Sequence, residues 1–135
     1  MRYMGSKYGA RKVTIDGVTF DSKLESQRWL FLKEKEKDGV ISDLRRQVEY
    51  EIIPKQVVQE TVHLKTKDKI IERVVERKAV YTADFVYIKN GKEVVEDVKG
   101  GVYMANNDVF VIKKKLMLCR YGIKVRIVTR PTEEI

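Results

Sequence analysis

A chain of 135 residues, 43% hydrophobic and 36% charged, is long enough for one domain with a real core and too polar for a membrane-embedded protein. Its formal charge of +8 favours a polyanionic partner, nucleic acid first, with a solvated basic surface as the plainer alternative. One cysteine, Cys119, and one histidine, His63, exclude an internal disulfide and any thiol or multi-histidine metal site within one chain.

Residues 1–12 carry Arg2, Lys7, Arg11 and Lys12 around two glycines and read as a flexible basic arm ahead of a single domain over 13–135. The arm has no apolar segment of the kind a secretory signal needs, so the cytoplasm is the expected location. Val13 to Phe20 alternates about Asp16-Gly17, a hairpin turn signal. Ser22-x-x-Glu25 has the form of a capping box and opens a helix reaching about Lys37, before Gly39. Strands are predicted near 47–53, 57–64 and 70–76, the last two forming a projecting hairpin. Strands over 80–89 and 92–99 flank Asn90-Gly91, the strongest short-range hairpin signal. One of Asn106, Asn107 and Asp108 caps a second helix, which ends at Gly122. Its stripe Val109, Ile112, Leu116 and Cys119 is expected to face the core. A last strand covers 124–129. The pattern predicts an α/β protein with a mixed sheet and core order helix, strand, strand, strand, helix, strand, the hairpin being an insertion after the first strand. Apolar runs such as 109–112 are far short of a membrane span.

The Asn-Gly turn lets a register be written. Lys89 pairs with Lys92, and counting back brings Phe85 opposite Glu96 and Asp84 opposite Asp97. Cross-strand partners share a face about 5 Å apart at Cβ. Lys99 lies two residues beyond Asp97 on that face, while Glu96 and Val98 point the other way. Opposed like charges are destabilising unless a cation lies between them. Carboxylates with no nearby His or Cys select a hard divalent ion. A β-bulge that shifts the register, or Lys99 alone neutralising the pair, explains the same residues without a metal. Glu25 shares a helix face with Trp29 and Leu32 and is therefore aimed inward, where a carboxylate needs a partner.

These residues carry a family resemblance. Thr82-Ala83-Asp84-Phe85, followed by Val94-Val95-Glu96-Asp97-Val98-Lys99-Gly100, resembles the signature of the PD-(D/E)xK nuclease superfamily, which includes restriction enzymes and archaeal-type Holliday junction resolvases. Ser22-Lys23-Leu24-Glu25 is similar to its helix motif. Over residues 7–129 the chain further resembles short phage and prophage proteins of that superfamily, similar to phage junction resolvases. The departures are Ala83 in place of proline and Asp97 in place of the frequent glutamate, which shortens its reach. The resemblance implies a restriction-endonuclease-like fold and a DNA phosphodiester hydrolase. It implies Mg2+ or Mn2+ on Glu25, Asp84, Asp97 and the Val98 carbonyl, with Lys99 as the catalytic lysine. It also implies branched or four-way-junction DNA as substrate, a homodimer, and no organic cofactor.

Lys7, Arg11, Lys12, Lys23, Arg45, Arg46, Lys113, Lys114 and Lys115 are the candidate DNA contacts, although a lysine run on a helix is usually a solvated face. His63 reads as a surface residue and Cys119 as a small core residue. Two other functions use the same residues: a non-catalytic DNA-binding module that retains the fold, and a nicking or site-specific endonuclease.

Overall fold

A computed structural model describes residues 11–135, without the side chains at 102 and 103. The proposed arm, including Lys7, thus lies largely outside the described residues. The first described hairpin pairs β1 (Val13–Ile15) with β2 (Val18–Phe20). Its two turn residues, Asp16 and Gly17, both adopt positive φ, as a two-residue hairpin loop requires. Helix α1 (Lys23–Lys37) follows, with the Ser22 side chain accepting from the Glu25 N–H at 3.1 Å. The reciprocal half of the capping box is replaced: the Glu25 carboxylate accepts from the Gln47 amide instead.

The main sheet has the order β3-β6-β7-β8, where β3 is Ser42–Ile53, β6 is Ala79–Lys89, β7 is Lys92–Val98 and β8 is Arg126–Val128. β3, β6 and β7 run antiparallel, and β8 joins β7 in parallel. β4 (Gln56–His63) and β5 (Asp68–Glu76) form a separate two-stranded ribbon between β3 and β6. A short helix α2 (Val102–Ala105), absent from the sequence expectation, precedes α3 (Asp108–Tyr121). Asn107 caps α3, and Gly122 ends it in a left-handed conformation. The protein is therefore α/β with a mixed sheet, as expected. β3 starts five residues earlier than predicted.

The sheet is covered on both faces. On one side Phe20, Leu32, Ile41, Phe85 and Tyr87 pack with Trp29 and Phe31 of α1. On the other, Tyr81, Ala83, Val86 and Val95 pack with Phe110 and Met117 of α3. This corrects the expected stripe on the second helix. Val109 and Ile112 are 61% and 58% exposed, Cys119 is exposed, and only Leu116 packs partly against the core. The helix is apolar nearly all round, so periodicity could not choose its face. The larger Phe110 and Met117 occupy the core.

One local break matters more. Residues two apart on a strand share a face, yet Tyr81 and Ala83 pack toward α3 while Phe85 and Tyr87 pack toward α1. Alternation therefore reverses at Asp84. The neighbouring strand reverses at the same level: Val48 and Tyr50 pack toward α3, whereas Leu44 packs toward α1. The pairs Arg46↔Phe85 and Val48↔Ala83 bracket Gln47, so it falls opposite Asp84. Gln47 has φ +52 inside a strand, a left-handed conformation that costs a non-glycine residue about 1–2 kcal/mol.

Candidate active site

The reversal opens the sheet where the acids lie. The β6–β7 ladder runs from Lys89↔Lys92 to Phe85↔Glu96, the register counted from Asn90-Gly91, and ends there. One step further, the Asp84 carboxylate enters the gap and accepts the Val98 N–H at 2.8 Å, taking the place of a ladder bond. Asp97 follows on β7. Its Oδ2 accepts the Tyr81 hydroxyl at 2.6 Å, and its Oδ1 meets the Lys99 ammonium at 2.9 Å. Lys99 Nζ also sits 4.2 Å above the Phe110 ring, a cation–π contact that fixes it.

Glu25 reaches the same place from α1. It is buried, and its Oε1 accepts the Gln47 amide at 3.2 Å; that amide lies 3.5 Å from Asp84 Oδ1. Glu25, Gln47, Asp84, Asp97 and Lys99 line one cleft of about 560 Å³, with Asp21 and Ser22 at its helix side and Met104 of α2 on its wall.

The cleft holds more negative charge than it neutralises. Burial, then the charges of Asp97 and Glu25, push the Asp84 carboxyl up to about 8, against the Val98 N–H and Lys99, which favour its anion. Glu25 is also raised, by burial first and then by Asp21 and Asp97, with Arg46 and the Gln47 hydrogen bond opposing. Burial and the Asp97 charge drive the Tyr81 hydroxyl up as well, so it stays a donor.

Behind the cleft, Arg28 and Glu96 form a fully buried bidentate pair, Nε to Oε1 and Nη2 to Oε2, both at 2.8 Å. The Tyr87 hydroxyl adds a third bond to Glu96 at 2.6 Å. Arg28 also donates to the carbonyls of Pro131 and Glu133. This pair ties the helix of Glu25 to the strand of Asp97.

The four residues expected to converge, Glu25, Asp84, Asp97 and Lys99, therefore do share one cleft, and Glu96 points away from it. Tyr81, Gln47 and Arg28 were missed. Alternation placed Tyr81 on the face opposite Asp84, and nothing in the local sequence marks Gln47 as left-handed. Among the basic candidates, Arg46 donates to the Thr19 carbonyl at 3.0 Å and stacks 4.7 Å over Phe20, so it is engaged within the protein. Lys12, Lys23, Arg45 and Lys115 are exposed, as is Arg11; Lys113 and Lys114 are half-buried on α3. His63 is exposed and pairs with Asp68 at 2.8 Å.

Oxygen-only donors with excess negative charge fit a hard divalent cation. Among the described residues, however, no three His, Cys, Asp or Glu side chains stand in a closed ligand cluster. Protein donors take the cation's part: Lys99 on Asp97, Val98 N–H on Asp84, and the Gln47 amide toward both Glu25 and Asp84.

The arrangement defines a class of site: three carboxylates and a lysine at a break in a mixed sheet. The chain belongs to the family described as protein of unknown function (DUF1064), whose model matches residues 5–132. No curated protein and no solved structure matches it. Among the described residues no helix is long and apolar enough to cross a membrane.

Proposed function

We propose that the chain is a metal-dependent endodeoxyribonuclease with a restriction-endonuclease-like core, its site formed by Glu25, Asp84, Asp97 and Lys99. The observation that supports this reading is the convergence of three carboxylates and a lysine on one cleft of a protein with formal charge +8. Mg2+ or Mn2+ would be held by Glu25, Asp84 and Asp97, with the Val98 carbonyl as a further donor. When bound, such an ion supplies a water of lowered pKa and a Lewis acid toward a phosphoryl oxygen. Asp97 is held at both oxygens, by Tyr81 and by Lys99, so its carboxylate is preset rather than free to rotate. Lys99, clamped between Asp97 and the Phe110 ring, is a fixed cation at the cleft. There it stabilises the negative charge that develops on a phosphate as a P–O bond breaks. Lys7, Arg11, Lys12, Lys23, Arg45 and the lysines of α3 supply affinity for the DNA backbone. Branched DNA, a four-way junction above all, is the proposed substrate, in the cytoplasm and on the strength of the family resemblance.

The test is cleavage of a four-way junction, a linear duplex and a single strand with and without Mg2+. We expect junction cleavage that needs the ion and is lost in Asp84→Asn and Asp97→Asn. Lys99→Ala should lower the single-turnover rate at least about a hundredfold while junction affinity changes little. No cleavage of any substrate with Mg2+ or Mn2+ would sink the reading.

One observation favours a second function, a DNA-binding module without catalysis. Gln47, Lys99 and the Val98 N–H already give each of the three carboxylates a protein partner, a bonded cluster that stands without an ion. On that reading junction binding persists and Mg2+ changes neither stability nor DNA integrity.

A further inference from the structure

Backbone and side chain disagree at Gln47. Its φ of +52 lies within β3. A left-handed position suits glycine, or a short Asn or Asp, and disfavours a longer side chain. The other non-glycine residues with positive φ among the described residues are Asp16, Asp43 and Asn90, so Gln47 alone is a residue type that the backbone does not favour. What it contributes is its amide. The side-chain nitrogen lies 3.2 Å from Glu25 Oε1 and 3.5 Å from Asp84 Oδ1.

That nitrogen stands between two of the three acids. A divalent ion shared by Glu25 and Asp84 needs the same place, because it takes the same carboxylate oxygens. An amide N–H and a cation present the same sign of charge to a carboxylate, so one excludes the other. The amide is the weaker occupant. It is neutral, and both Glu25 and Asp84 stay raised in its presence. It is also free to leave: Gln47 is exposed, whereas Glu25 is buried. The amide can therefore swing into solvent without opening the core. A buried carboxylate is costly without a partner, and the amide supplies one whenever the ion does not.

We infer that Gln47 is a resident competitor of the metal ion. Its amide holds Glu25 and Asp84 in the metal-free protein and gives them up when the ion binds, so it sets the ion affinity of the cleft. The inference rests on the metal-site reading above and adds a positioning residue to it. The left-handed backbone fixes the direction from which the amide approaches, which is a use for strain at this point of the sheet.

Isothermal titration of the full chain with Mg2+, without DNA, tests this at about pH 9, above the value of about 8 to which Asp84 is pushed. Gln47→Gly removes the amide and accepts the backbone; Gln47→Met removes the amide and keeps the length. Each should bind Mg2+ about fivefold tighter than the wild type, as expected for the loss of one competing hydrogen bond. The melting temperature of each should also rise more than that of the wild type at one fixed Mg2+ concentration. A residue that only supports the fold would weaken the site when replaced, never tighten it. If one variant fails to fold, the other carries the test. Where the wild type binds Mg2+, a folded variant that binds no tighter overturns the inference and leaves the metal reading standing; weaker binding would make Gln47 a ligand in its own right. Binding by Gln47→Gly but not by the wild type supports the competitor and moves the wild type to the DNA-binding-module reading. No binding by any of these proteins sinks the metal reading, and the competitor with it.

Discussion

Gln47 and Asp84 face one another at the point where two strands reverse their faces, and each stores a cost there. Gln47 holds φ +52, and backbone strain of this kind persists where surrounding contacts over-determine it, commonly at functional sites. The strain separates cleanly from the loss of the amide. Gln47→Ala and Gln47→Gly both remove the donor to Glu25, but only glycine accepts positive φ without penalty. Gly should therefore be the more stable of the two by about 1 kcal/mol, against the usual order in a strand; urea denaturation of the pair decides it, and an Ala variant at least as stable would mean the φ is not strained. Asp84 stores a cost in protonation. Its folded pKa of about 8 lies above its unfolded value of ~3.9. Between those values the metal-free native state binds one proton more than the unfolded chain. That contribution to stability is fully present below the unfolded pKa and is lost as pH rises through about 8. Stability without divalent ions should therefore fall over that window, and Asp84→Asn should flatten the fall. Equal slopes in wild type and variant would show that Asp84 titrates normally.

At the scale of elements, the tie between α1 and β7 decides whether Glu25 and Asp97 stay in one cleft. Arg28 and Glu96 are both fully buried, and breaking a buried pair by removing one partner leaves an uncompensated charge, costing about 3–5 kcal/mol. Arg28→Ala should lose stability of that order in urea denaturation. Arg28→Met with Glu96→Leu should recover part of it, because two apolar groups leave no charge stranded; the Tyr87 hydroxyl would still lack its acceptor. A loss below about 1 kcal/mol in Arg28→Ala would show that the pair is not a tie. Neither partner was legible as such, since an Arg on a helix and a Glu on a strand ordinarily read as surface residues. Local signals were read well. Asp16-Gly17, Ser22, Asn90-Gly91 and Gly122 set two hairpins, the start of α1 and the end of α3, and the Asn-Gly register was right for the five pairs of the ladder but not for the sixth, Asp84 opposite Asp97, where the ladder has already ended. Glu25, Asp84, Asp97 and Lys99 followed from those local rules. The reversal at Asp84 did not, because it arises from pairing with β3, dozens of residues away, and strict period two cannot express it. The face of α3 was misread because apolar residues surround the helix, leaving side-chain volume to decide.

For the whole molecule the question is where a charge of +8 meets DNA. Lys113 and Lys114 are half-buried on α3, about one turn on from Phe110, whose ring lies under Lys99. Lys65 and Lys67 are exposed at the ribbon tip, beside the Leu64–Lys67 turn, and belong to a neutral element. If DNA lies across the cleft, the first pair contacts phosphate and the second does not. Each phosphate contact contributes about 0.9 to the slope of log K against log salt on duplex DNA. Lys113→Gln with Lys114→Gln should therefore flatten that slope by about 1–2 and weaken binding at low salt. Lys65→Gln with Lys67→Gln removes the same formal charge and should leave the slope unchanged. The comparison holds net charge constant, so it separates local contact from the general attraction of a basic surface. Equal flattening by both double variants would mean that affinity follows total charge and that the cleft is not where DNA docks.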